Sequence, residues 1–155
     1  MSDIAPQVLA DALSLRLLQY RTGLLFLPLA SVGDEPEIAA RLGISHCDLL
    51  KKMLGSFAPD SRQLGLRREW FASQLLSIAR ETSLNSSCVL LSNTDIMIAA
   101  FNYEDRLRFW RHLRENFRAP CGMLVSVPID ANNLLPSDER SRWILIDRAS
   151  TWNKG

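Results

Sequence analysis

"FLPLASVGDEPEIAARLG", residues Phe26 to Gly43, joins a short apolar run to a helical stretch through a glycine-containing turn. A strand, a loop and a helix in that order are the setting of a phosphate-binding loop, GxxxxGK[ST]. In such a loop the backbone N–H groups and the helix N-terminus receive phosphates, a Lys adds positive charge and a hydroxyl holds Mg²⁺. The matching window is "PLASVGDE", with Gly33 at the second Gly position. Pro28 stands at the first Gly position, Asp34 at the Lys position and Glu35 at the Ser/Thr position. Two acids reverse the required charge. Unit charges about 4 Å apart interact by about 4 kcal/mol at an effective dielectric of about 20, so the attraction becomes a comparable repulsion. Pro28 also lacks a backbone donor. A working triphosphate site is not expected here.

The surrounding chain gives the same unit repeatedly. "LLFLPL" (Leu24 to Leu29) is continuously apolar and short, as in a strand covered on both faces. Asp34-Glu35-Pro36 starts a helix that runs through Leu42 and stops at Gly43. "ISHC" (Ile44 to Cys47) reads as a second strand, and Asp48 caps a helix over Leu49 to Leu54. Gly55 to Gly65 is a loop, and Leu66 to Thr82 a helix with Trp70, Phe71, Leu75, Ile78 and Ala79 on its apolar face. "CVLLS" (Cys88 to Ser92) is a third strand, and Asp95 to Phe101 fits either a short helix or a strand. Tyr103 to Phe117 is helical, with Tyr103, Leu107, Trp110, Leu113 and Phe117 inward. "GMLVSVP" (Gly122 to Pro128) is a fourth strand, "NNLLPSDERS" a loop, and "RWILID" (Arg142 to Asp147) a fifth strand at an edge. A first helix spans Ile4 to Arg21. Strands alternating with helices predict an α/β fold with a mainly parallel sheet of about five strands. Residues 1–148 form a single domain and 149–155 a polar tail.

Composition agrees with one globular domain. The chain has 155 residues, 47% apolar and 23% charged, and a domain of this size buries roughly 70% of its unfolded surface. The net charge of +1 gives no whole-protein attraction to nucleic acid or anionic membrane. Cys47, Cys88 and Cys121 form no CxxC pair and read as small buried hydrophobes in a reduced, cytoplasmic setting. No signal peptide and no run of about 20 apolar residues is visible, so no membrane partner is expected.

The third strand bears on the phosphate question. A Walker B strand ends in an Asp that holds Mg²⁺, but Ser92 occupies that place, with Asp95 three residues on. At this point the layout resembles the small P-loop component of type 3 BREX phage-defence systems. The segments "LLFLPLASVGDE", "LGISHCDLLKKML", "LLSNTDIMIAAF" and "MLVSVP" follow that family's order at similar spacing, over roughly residues 10 to 130. The resemblance implies a P-loop-NTPase-like topology and a place among the protein subunits of a defence-type assembly. No catalytic role carries over to Pro28, Asp34, Glu35 or Ser92. It implies a divergent, non-hydrolysing relative that serves as an adaptor or regulatory subunit and needs no cofactor.

Two rival functions remain open. Arg106, Arg108, Arg111, Arg114 and Arg118 outnumber Glu104, Asp105 and Glu115 along one helix. By helical spacing Arg108, Arg111 and Arg118 share a face with Glu115, and Arg114 lies beside it, as in a stripe that contacts DNA or RNA phosphates. A solvated face or partner surface is the plain alternative. Arg62 to Arg68 adds three Arg near a turn. The second rival is an unconventional nucleotide hydrolase in which Asp95 holds the metal. His46 and His112, the only histidines, show no metal-ligand spacing, and Ser31, Ser92 and Ser126 fit no nucleophile motif. Trp143 is expected to pack in the fifth strand, and Trp152, near the end of the tail, suits partner docking.

Overall fold

The computed structural model describes residues 4–15, 21–54, 68–131 and 133–153, without the side chains of 53, 54 and 68–71. Five strands are seen in it: β1 (Thr22–Leu27), β2 (Ser45–Asp48), β3 (Cys88–Ser92), β4 (Gly122–Pro128) and β5 (Ala149–Thr151). They form one sheet in the order β2-β3-β4-β1-β5, and every pairing is parallel. The helices are α1 (Pro6–Ser14), α2 (Glu35–Leu42), α3 (Leu49–Leu54), α4 (Arg68–Ser83), α5 (Thr94–Ile98), α6 (Tyr103–Glu115) and α7 (Ser137–Leu145). The α/β architecture with a parallel five-stranded sheet is the expected one.

Alternation along the strands builds two cores. Leu25, Leu27, Leu90 and Leu124 face α1 and α2, meeting Leu9, Leu13, Ile38 and Leu42. Leu24, Phe26, Leu91, Val125 and Val127 face the other side, meeting Leu75, Phe109, Trp110, Leu113 and Trp143 from the later helices. The hand of the connections explains this division. The chain leaves β1 toward β2 in one direction and then returns through β3 and β4 to β5 in the other, so right-handed crossovers put α2 and the later helices on opposite faces. The direction reverses between the neighbouring strands β1 and β4. Open α/β sheets bind ligands outside the carboxyl ends at such a reversal. At the other end of β4 a close approach requires glycine: a Cβ on Gly122 would lie 2.9 Å from the Leu13 carbonyl oxygen.

Several boundaries differ from expectation. "RWILID" is no strand. Residues through Leu145 belong to α7, which starts after Pro136 with Asp138 and Glu139 in its first turn. Glu139 and Trp143, one helical turn apart, point inward while Leu145 and Ile146 stay exposed, a helical pattern of burial. The edge strand is instead Ala149–Thr151, within the expected tail, hydrogen-bonded beside Leu24 to Phe26. Asp95 opens into the helical alternative, α5. Tyr103, the first residue of α6, is exposed rather than inward. The first helix, expected to run to Arg21, ends at Ser14 with Leu15 as its C-cap, and Thr22 and Gly23 already belong to β1. The expected loop Gly55–Gly65, residues 62–67, residues 16–20, and the Trp70 and Phe71 side chains lie outside what is described. Among the described residues no helix is long and apolar enough to cross a membrane.

Candidate functional site

The loop after β1 leaves the sheet at the direction reversal. Pro28 leads into a single tight turn, Leu29–Ser31. The backbone N–H groups of Ser31, Val32 and Asp34 donate to the carbonyls of Pro28, Leu29 and Ser31 at 2.9, 3.3 and 3.0 Å. These donors close the loop on itself, whereas a phosphate cradle needs them turned outward. Gly33 takes φ 99°, a left-handed conformation suited to glycine. Asp34 is the N-cap residue of α2 but makes no side-chain capping bond. Glu35 turns inward and is 7% exposed, while Leu29 at 82% and Val32 at 45% present apolar groups to solvent.

Beneath Glu35 lies a polar cluster at the carboxyl ends of β2 and β3. Parallel pairing sets Asp48 opposite Ser92 and His46 opposite Leu90. These residues share the α2 face of the sheet, because successive side chains alternate. His46 Nε2 and Ser92 Oγ are 2.8 Å apart. Asn93, left-handed at φ 61°, donates its amide to Asp48 Oδ1 at 2.9 Å, and the Lys51 backbone N–H donates to the same oxygen at 3.1 Å. The latter bond is the expected cap of α3.

Electrostatics follow from burial and neighbours. Burial holds the His46 pKa below 6.5, against the opposing charges of Asp48 and Glu35, so the ring is neutral near pH 7. Burial pushes the Asp48 carboxyl up. The Asn93 amide, the Lys51 N–H and nearby positive charge outweigh it and leave the group below its usual range. Burial raises Asp95, partly offset by the backbone N–H groups of Asp95 and Ile96. A neutral imidazole nitrogen on a serine hydroxyl is the elementary unit of an activated nucleophile. Ser92 is 3% exposed, however, so this arrangement gives a substrate carbonyl no approach to Oγ. Among the described residues no group of three His, Cys, Asp or Glu could hold a metal ion.

The face expected on the Arg helix stays exposed at Arg108, Arg111, Glu115 and Arg118, whereas Arg114 turns inward. Arg108 pairs with Glu104 at 2.9 Å and Arg111 and Arg118 are exposed. Arg114 is 9% exposed and binds Glu139 of α7, Nε to Oε1 at 2.7 Å, with Nη1 on Glu115. Arg106 spends its two Nη groups on the carbonyls of Asn133 and Ala99. Trp152 is half-buried against the α1–α2 core, and its backbone N–H donates to the Phe26 carbonyl at 2.9 Å. Trp143 is fully buried, on a helix.

Sequence reasoning found Glu35 and Ser92 by motif position but missed the His46–Ser92 bond and the role of Asp48 beyond capping. The visible signal was polar residues at alternate positions, His46 and Asp48, in a short strand. It also missed half-buried Arg140 and buried Arg148, cations that carry no motif. No protein-family model, no curated protein and no solved structure matches this chain.

Proposed function

We propose that this protein is a non-hydrolysing module of P-loop-like topology that works as an adaptor or regulatory subunit in a multi-protein assembly, by resemblance one of phage defence. The observation that carries the reading is the loop after β1. It bonds its own N–H groups internally, buries an acid where a Mg²⁺-binding hydroxyl would be needed, and exposes Leu29 and Val32. The sheet order supports the topology, because β4 lies between the strand that feeds this loop and the strand ending at Ser92. Ser92, at the position of the metal-holding acid, is bonded to neutral His46 instead. The exposed apolar loop suits a partner subunit, since interface cores favour apolar contacts over charge.

Isothermal calorimetry with ATP and Mg²⁺, and with GTP and Mg²⁺, tests the reading. No heat at high micromolar nucleotide is the expected result. Saturable binding of either nucleotide would overturn it, because the closed loop and its two acids would then have failed to exclude phosphates.

A further inference from the structure

Arg140 sits where β1 and β4 end. Its guanidinium stacks over the Phe26 ring, 4.8 Å from the centroid, and its Nη1 donates to the carbonyl of Ile129 at 2.9 Å. Ile129 is the first residue past β4, and its own N–H donates to Leu27 at the end of β1. The guanidinium therefore lies on the seam between the two strands at which the sheet reverses direction. Its Nε and Nη2 are buried, and neither meets an acceptor among the described residues. Those two atoms form one edge of the guanidinium, whose parallel N–H bonds match the two oxygens of a carboxylate or phosphate.

The neighbourhood adds to this. Arg106 grips the same β4–α7 connection from Asn133 and also keeps a buried Nε without an acceptor. Asp130 is the acid that acts on Arg140 electrostatically, yet the two form no ion pair. Two buried N–H donors without acceptors are costly, and one bidentate oxyanion would satisfy both.

We propose that the Nε–Nη2 edge of Arg140 receives the oxyanion group of a small ligand, a carboxylate or a phosphate, at the seam between β1 and β4. Phe26 faces the later helices, whereas Glu35, His46 and Ser92 lie on the α2 side of the sheet, so this site is separate from the loop discussed above. Both atoms are covered, so binding is coupled to local opening around them.

The test is the ¹⁵N–¹H spectrum of the arginine Nε groups in the full chain. It is titrated with inorganic phosphate and separately with acetate, against chloride at matched ionic strength. Arg140→Lys assigns the Arg140 resonance while keeping the charge. The expected result is a saturable shift of that resonance at millimolar anion, with exposed Arg111 moving only as in chloride. Saturation at lower phosphate than acetate assigns a phosphate-bearing ligand, and the reverse order a carboxylate. A resonance that saturates with neither anion overturns the proposal. So does one that starts at a hydrogen-bonded position and loses it in Asp130→Asn, because Asp130 would then fill the fork itself.

Discussion

Replacing Arg114 by Met should destabilise the fold severely, whereas replacing Arg114 and Glu139 together should not. Arg114 and Glu139 are 9% and 6% exposed at the side chain, and their bonds measure 2.7 Å and 3.4 Å. Removing the arginine leaves the Glu139 carboxylate buried without its partner, a cost of about 3–5 kcal/mol. Whole domains are stable by only about 5–15 kcal/mol. At about 2–4 °C per kcal/mol for a chain of this size, the melting point should drop by roughly 6–20 °C. With Glu139→Leu added, no buried charge remains, and apolar replacement of such pairs is often neutral or better. Urea unfolding followed by tryptophan fluorescence gives all four corners of the cycle at a common slope. Arg108→Ala is the control: its partner Glu104 is exposed, and such pairs contribute at most about 1 kcal/mol. If Arg114→Met costs less than about 1 kcal/mol, or the double variant is no more stable than the single, the buried-pair reasoning fails. Arg114 would then be available for the phosphate-contact role its position on the helix suggested.

Three further outcomes follow from packing and titration. Gly122→Ala should cost about 1–3 kcal/mol, because the new Cβ meets the Leu13 backbone at 2.9 Å. Gly23→Ala should cost less in the same thermal melts, since its neighbours at 3.2 Å are the flexible ends of Leu9. An alkylating reagent should modify half-buried Cys47 first and reach Cys88 only on unfolding, because burial pushes the Cys88 thiol up to about 12; equal rates by mass spectrometry would refute this. The folded-state pKa of His46 lies below 6.5, so the unfolded chain takes up that proton first. Its contribution to stability is whole above pH 6.5 and is lost as pH falls through the lower folded value. Urea midpoints measured downward from pH 6.5 should fall, and His46→Gln should flatten the slope; an unchanged slope would assign it to other groups.

The interior strands were legible in the sequence because being buried on both faces demands an unbroken apolar run, which "LLFLPL", "CVLLS" and "GMLVSVP" supply. The edges were harder. Three residues of β5 show no period, and two polar side chains among small residues look like a tail until β1 is in place beside them. The "WILI" of α7 misled because Leu145 and Ile146 are apolar yet exposed, which imitates a strand; Pro136 and the acids after it were the better guide. Site chemistry was less legible still, since its pairs are remote in the chain: His46 and Ser92 are 46 residues apart and Arg114 and Glu139 are 25 apart. Only strand register and helix packing bring such groups together.

The two substituted motif positions become intelligible jointly rather than one at a time. On the proposed reading, an acid replaces the hydroxyl at Glu35 and a hydroxyl replaces the acid at Ser92, so the site keeps one oxygen donor of each kind while exchanging their places. The exchange removes the geometry for magnesium and phosphate. A carboxylate now lies under the loop, near a neutral imidazole that binds the serine. A buried Glu35 beside a buried charged histidine would be an ion pair needing full desolvation. With His46 neutral, it bonds Ser92, while Asp48 accepts from Asn93 and the Lys51 N–H. The bonded network ties β2 to the β3–α5 turn, at the carboxyl ends of the strands beside the loop after β1.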